Sequence, residues 1–448
     1  MTAAATRTDP GPGARRAGAE ARVAVAAAIG EGLAIAFLVA RDGSPGWRVA
    51  RLVVVAAATA GVALVVGRPR PPGRRGTAGR GLAAVAAGLV GVAVGAGIAL
   101  PHLTKTGLTL VAAAGTVSVV GGLVLVAVGG WWLLRGRRWW QRALVVVALV
   151  VALPVVLLPL GVAVAVTNVP RTSLDGDTPA DRGLDYDDVE MTTADEVTLR
   201  GWYIPGDGGA AVVVAHGAGS TRSGVLDQAV VLARHGFGVL AFDARGHGES
   251  DGRAMDFGWY GDEDVAAAVS FLADQPGVDP DRIGALGMSM GGEEAIGAAA
   301  TDERIAAVVA EGAEARVAGD GEWLSDEYGA GGWMQQRLDG LTFGLTDLLT
   351  AADPPGTLHD AAAAAAPRPM LLIAAGEVAD EGHAARHIRS ASPGAVEVWV
   401  VPGAGHTDGL DTSPDEWEQR VTGFLAGALG DDSTARWADG AFTHDPYG

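Results

Sequence analysis

Five apolar runs occupy most of the first 167 residues, at 23–40, 52–67, 82–100, 107–134 and 143–167. At about 1.5 Å per residue, runs of this length reach roughly 24 to 42 Å, against a bilayer hydrocarbon core of about 30 Å. A soluble helix needs one polar face, and these runs have almost none. The first third is therefore expected to be a transmembrane bundle of about five helical spans, since in lipid a helix satisfies its own backbone hydrogen bonds. Trp131, Trp132, Trp139 and Trp140 flank the fourth and fifth runs, where interfacial aromatics sit. Pro154 and Pro159 should kink the fifth, which neighbouring helices tolerate. Glu31 lies inside the first; an intramembrane carboxyl points to function by default, and a pairing or protonated structural role is equally open.

Charge divides the chain at the same place. Residues 1–167 carry 17 Lys and Arg against 4 Asp and Glu, a net of +13; residues 168–448 carry 16 against 48, a net of −32. Thirteen basic residues fall in the leader and in the loops after the second and fourth runs, and four in the loops after the first and third. Positive-inside reasoning puts the N-terminus in the cytoplasm and, after five crossings, the acidic half outside the cell membrane. A polar leader of 22 residues before the first run disfavours a cleaved signal peptide. This basic leader, 1–22, is expected to be disordered. Without cysteine, the chain forms neither disulfides nor thiolate metal sites. The −32 charge disfavours nucleic acid, whose phosphates it repels.

The acidic half alternates strand and helix signals. A hairpin at 189–192 and 197–203 comes first, then strand runs at 211–215, 239–242, 283–286, 305–310, 370–374 and 396–401. Helical patterns lie between them at 225–235, 262–273 and 290–300, and a last one closes at 414–429. Such alternation implies a mostly parallel sheet with helices on both faces, and ligands at the carboxyl ends of its strands. At one of those ends stands Gly287-Met288-Ser289-Met290-Gly291-Gly292, after the apolar run Ile283-Gly284-Ala285-Leu286. A serine between glycines at a strand-to-helix turn is a nucleophile elbow, where small flanks give room to a strained residue. Upstream, Val212-Val213-Val214-Ala215 ends in His216-Gly217-Ala218-Gly219, a loop suited to supplying a backbone N–H to an oxyanion.

Four blocks in order now resemble the α/β-hydrolase family, over about residues 186–430: His216-Gly217-Ala218-Gly219, Asp243-Ala244-Arg245-Gly246-His247-Gly248-Glu249-Ser250, Gly287-Met288-Ser289-Met290-Gly291 and Pro402-Gly403-Ala404-Gly405-His406. The resemblance implies an α/β-hydrolase fold behind the membrane bundle and a nucleophile, acid, histidine order. Ser289 would be the nucleophile, His406 its base, and the Met290 and Ala218 N–H groups the oxyanion hole. The acid lies after the strand at 370–374. There Asp380 is favoured, with Glu377 next and Glu381 last, because Gly376-Glu377-Val378-Ala379-Asp380 is one residue longer than the family spacing.

Other residues take plainer roles. His247 belongs to a turn, and Asp262, Glu263 and Asp264 suit a helix N-terminus. No cofactor and no metal site is expected. Residues 168–185 read as a linker, 314–366 as a possible cap whose Trp323, Tyr328, Trp333 and Met334 either line a pocket or pack the cap, and 431–448 as a polar tail. The expected activity is that of a membrane-anchored serine hydrolase of esters, thioesters or small amides, with the bilayer and a small acyl substrate as its partners. A silent binding domain of the same fold is the alternative. Oligomeric state is not legible.

Overall fold

The computed structural model describes residues 12–41, 44–68, 75–253 and 255–430. The chain divides into two units between Pro170 and Arg171. Among its described residues the first holds five helices, α1 (Pro12–Val39), α2 (Pro45–Gly67), α3 (Arg75–Lys105), α4 (Leu110–Leu134) and α5 (Trp139–Val166). All five are long and apolar enough to cross a membrane. α1 begins at Pro12, so the second half of the expected disordered leader is helix; proline is suited to a first helical turn and the Ala and Arg that follow are good helix formers. The rest of that leader, 1–11, and the tail 431–448 lie outside the described residues.

Within the bundle, Glu31 is buried, and its Oε2 has no hydrogen-bond partner among the described residues. Gly91 makes room for it: a Cβ there would fall 2.2 Å from the Glu31 carboxyl carbon. Ser118 on α4 donates to the Gly91 carbonyl at 2.9 Å, joining α3 to α4 beside that carboxyl.

The second unit is built on eight strands: β1 (Asp187–Thr192), β2 (Thr198–Ile204), β3 (Ala211–Ala215), β4 (Gly238–Asp243), β5 (Ile283–Met288), β6 (Ile305–Glu311), β7 (Met370–Ala375) and β8 (Val396–Val401). Their order is β1-β2-β4-β3-β5-β6-β7-β8. The β1–β2 and β2–β4 pairs are antiparallel and the remainder parallel. Around them run α6 (Leu226–Arg234), α7 (Gly261–Ala273), α8 (Met290–Thr301), α9 (Leu324–Tyr328), α10 (Ala330–Leu349), α11 (Leu358–Ala365), α12 (Ala379–Ala391), α13 (Gly409–Thr412) and α14 (Pro414–Ala428). The period of two along β3 sorts its side chains between two cores. Val213 joins Val265, Ala295, Leu358 and Ala385, under α7, α8, α11 and α12. Val212 and Val214 join Ala229, Leu232, Val421 and Leu425, under α6 and α14. With both faces covered, the central strands are apolar throughout, which is why they read as continuous runs.

The stretch expected to link the units is already part of the second. The Arg171 guanidinium donates to the Ser250 carbonyl, Thr172 Oγ1 to the Gly219 carbonyl at 2.8 Å, and the Gly248 N–H to the Thr172 carbonyl at 2.9 Å. Leu174 packs with Trp202.

Close packing of β5 and α8 on β3 gives a first expectation. A Cβ on Gly291 would stand 2.5 Å from the Ala215 carbonyl oxygen, a backbone atom in the middle of the sheet. Overpacking against rigid backbone costs roughly 1–3 kcal/mol or more, so Gly291→Ala should lower the melting temperature of this unit by several degrees. Calorimetry on the full chain checks it, and an unchanged transition would refute the tight packing.

Candidate active site

The serine turn is strained as its sequence suggested. Ser289 has φ +53° and ψ −121°, a region that costs a non-glycine residue on the order of 1–3 kcal/mol. Its backbone is held from two sides: its N–H donates to the Glu311 carbonyl at 2.7 Å, and its carbonyl accepts from Gly292 at 2.9 Å. The β5-to-α8 turn thus fixes the hydroxyl at the carboxyl edge of the sheet.

His406 arrives on the loop after β8. Its Nε2 lies 2.9 Å from Ser289 Oγ, and its Nδ1 lies 2.6 Å from Glu381 Oε1. With the Nδ1 proton donated to the carboxylate, Nε2 is left to accept from the serine hydroxyl. The other oxygen of Glu381 accepts from the Ala375 N–H, at the end of β7, at 2.7 Å. Glu381 is 1% exposed, so this carboxylate is screened from water and held in one orientation. The hydrogen bond to Glu381 raises the His406 pKa above the ordinary imidazole value, against the lowering effect of burial.

The favoured acid was therefore the wrong neighbour. Asp380 does not reach the imidazole; its Oδ1 accepts from the Tyr328 hydroxyl at 2.6 Å. Glu377 is exposed on the turn before α12. The physical reason is helix phase: α12 begins at Ala379, and consecutive residues on a helix point about 100° apart. Asp380 faces Tyr328, and Glu381 faces the histidine.

The Met290 N–H is the first of α8, with no helical carbonyl upstream to accept it. Gly217, beside Ala218, lies against the serine, since a Cβ on it would fall 3.3 Å from that of Ser289. Two histidines brace this loop. His247 Nε2 accepts from the Gly219 N–H at 3.2 Å while its Nδ1 donates to the Arg245 carbonyl at 3.0 Å. His216 donates to the Gly217 carbonyl at 2.8 Å and accepts from the Ala244 N–H at 3.1 Å. Both are occupied in holding backbone, so the turn reading of His247 agrees with its contacts. The carboxylates at 262–264 open α7, where Asp262 pairs with Arg316 at 2.7 Å and Asp264 with Arg245 at 2.6 Å.

Sequence reasoning passed over two further supports. Glu311, at the end of β6, is buried and accepts from the Gly409 N–H and the Trp417 indole, both at 2.8 Å, so it pins the chain just beyond His406. Burial pushes its pKa up. Arg222 is buried with Asp243 at 2.7 Å, four residues after Ala218 on the same connection. A glutamate closing a parallel strand was a signal for the first; the second joins residues too far apart along the chain to be paired by local pattern.

On the Asp380 side of Glu381 is a recess lined in part by Glu314, Trp323, Leu324, Phe343 and Asp380. Desolvation, with a smaller contribution from Glu381, raises the pKa of Glu314. Of the four apolar residues noted in the possible cap, Trp323 lines this recess, while Tyr328, Trp333 and Met334 are exposed.

Residues 207–337 match the family model described as serine aminopeptidase, S33. A thiohydrolase of Aspergillus aculeatus is 41% identical over 128 residues, 28% of this chain and 40% of that protein. A polyketide transferase of Stachybotrys chlorohalonatus is 41% identical over 129 residues, 28% of this chain and 43% of that one. The chain thus spans well under half the length of these two relatives. Among solved structures, an esterase of Pyrococcus furiosus is 28% identical, with a TM-score of 0.47, covering 59% of this chain and 99% of that chain.

Proposed function

We propose that this chain, whose second unit has the α/β-hydrolase fold, is a membrane-anchored serine hydrolase, cleaving an ester, thioester or small amide through an acyl-enzyme. The observation that carries the reading is the unbroken line from Ser289 Oγ through the two nitrogens of His406 to a buried carboxylate, at 2.9 and 2.6 Å. Ser289 attacks the acyl carbon as its proton passes to His406 Nε2. The oxyanion so formed is met by the Met290 and Ala218 N–H groups. The C–O, C–S or C–N bond then breaks, and the leaving group takes the proton from Nε2. Water, deprotonated by the same nitrogen, attacks the acyl-serine and releases the acid and free Ser289. Glu381 supports the imidazolium in both halves without taking its proton.

The five apolar helices supply the anchor, and the distribution of arginines favours a cytoplasmic N-terminus and an extracytoplasmic hydrolase unit. A second reading is favoured by the polyketide transferase among the relatives: an alcohol in place of water as acyl acceptor. Turnover of p-nitrophenyl esters of graded chain length, with nitrophenol and free acid measured together, decides between them. A hydrolase yields both in equal amounts; a transferase releases nitrophenol only slowly until an alcohol is supplied, and then passes the acyl group to the alcohol as an ester with no matching gain in acid. No nitrophenol release from folded protein would favour the silent binding domain.

The base must be neutral to act, so activity is expected to be lost as pH falls through the His406 pKa. Because the Glu381 hydrogen bond raises that pKa, the acid limb of kcat/KM should inflect above the ordinary imidazole value of about 6.5. A pH–rate profile measures it, and an inflection below that value would contradict the pairing.

A further inference from the structure

We propose that Glu293 is a positioning residue for the base: it ties the helix of the nucleophile to the loop that backs His406, and so sets where the imidazole stands relative to Ser289. The proposal rests on the serine-hydrolase reading and deepens it. Glu293 lies in the first turn of α8, four residues after Ser289, and is 9% exposed. Its N–H donates to the Ser289 carbonyl at 3.1 Å. Its side chain reaches another segment, where Oε1 accepts from the Glu314 and Ala315 N–H groups, both at 3.1 Å. One residue thus holds the serine turn at one end and the loop after β6 at the other.

That loop is the link between nucleophile and base. The Glu311 carbonyl accepts the Ser289 N–H, and the Glu311 carboxylate accepts the Gly409 N–H just beyond His406. The Gly312 N–H donates to the Ile373 carbonyl at 2.9 Å. Gly312 itself, at φ +71°, lies against the imidazole: a Cβ there would fall 3.0 Å from His406 Cε1 and 3.1 Å from Nδ1. Further on, the Arg316 and Val317 N–H groups donate to Asp320 at 3.0 Å. Between these two anchored ends, Glu293 holds the middle. Without its acceptor, two part-buried N–H groups lose their partner, and the loop shifts to recover hydrogen bonds. The ring in contact with Gly312 shifts with it, and a displacement of about 1 Å in a reacting group costs on the order of a hundredfold in rate. Burial raises the Glu293 pKa to about 8, so at neutral pH the residue stands mainly as the acid, whose carbonyl oxygen is the acceptor. Glutamine offers that acceptor in the same shape; leucine offers comparable bulk without it.

Glu293→Leu and Glu293→Gln in the full chain, assayed on one p-nitrophenyl ester at neutral pH, test the role. In Glu293→Leu, kcat should fall about tenfold to a hundredfold with KM within about twofold, because His406 serves acylation and deacylation alike and both slow together. Glu293→Gln should stay within about threefold of the parent in both constants, since the acceptor is kept. The rate of fluorophosphonate capture, which needs the same activated serine, should fall in the leucine variant and not in the glutamine one. Should Glu293→Leu not fold, Glu293→Asp carries the test: it keeps the carboxyl but withdraws it by one methylene, and the same loss of kcat is expected. Equal losses in Glu293→Leu and Glu293→Gln would assign the effect to the carboxyl proton or charge and overturn the proposal. So would a parent-like kcat in Glu293→Leu or Glu293→Asp, or a loss carried by KM. Turnover in the parent with no difference among the variants removes this role alone; no turnover and no capture in folded parent removes the hydrolase reading with it.

Discussion

Replacing Ser289 by alanine is expected to lower kcat by a factor of about 10³ to 10⁶ while leaving the fold intact. The hydroxyl contributes no packing that alanine cannot replace. The turn is held by backbone bonds to Glu311 and Gly292, which the substitution keeps. What is lost is the one atom within 2.9 Å of His406 Nε2 that can form a covalent acyl intermediate. The residual rate should come from water activated by His406 next to the Met290 and Ala218 N–H groups. The same p-nitrophenyl ester assay measures it, with melting temperature as the check on folding. A loss of less than about tenfold in folded protein would remove Ser289 from the nucleophile's role.

Glu381→Gln is the second large effect, about 10³- to 10⁴-fold in kcat/KM. Glutamine keeps the shape but can present an N–H to His406 Nδ1, which favours the wrong tautomer and leaves Nε2 protonated. It also removes the charge that stabilises the imidazolium. The Glu381 hydrogen bond is the largest influence raising the His406 pKa, so the acid limb of the pH profile should move down in this variant. Asp380→Asn and Glu377→Gln should stay within about threefold of the parent, because neither contacts the imidazole in this geometry. Kinetics on the three variants separate the possibilities. A large loss in Asp380→Asn with little in Glu381→Gln would restore the reading made from loop spacing.

What could be read from the sequence was what is local. The central strands announce themselves because both faces of the sheet are covered, so Val212, Val213 and Val214 are apolar without alternation. The serine turn is legible because strain and close approach restrict the residues around Ser289. The five apolar helices follow from length and composition. What escaped was set by helix phase and by contacts distant along the chain. Asp380 and Glu381 are adjacent in sequence, and only the starting point of α12 decides which one meets His406. The same holds for α10, where Trp333 and Met334 were expected on a pocket or in cap packing and instead face outward. The helix from Pro12 was hidden by a composition that reads as disorder, and the Arg222–Asp243 pair by its separation along the chain.

The most direct test of the account is the site of covalent capture. A fluorophosphonate probe reacts with a serine only where a base has activated it, and the full-length protein should take up one equivalent on the peptide carrying Ser289, as read by mass spectrometry. That adduct should vanish in Ser289→Ala. Capture on another residue, or none in protein that is demonstrably folded, would contradict a relay running from Ser289 through His406 to Glu381.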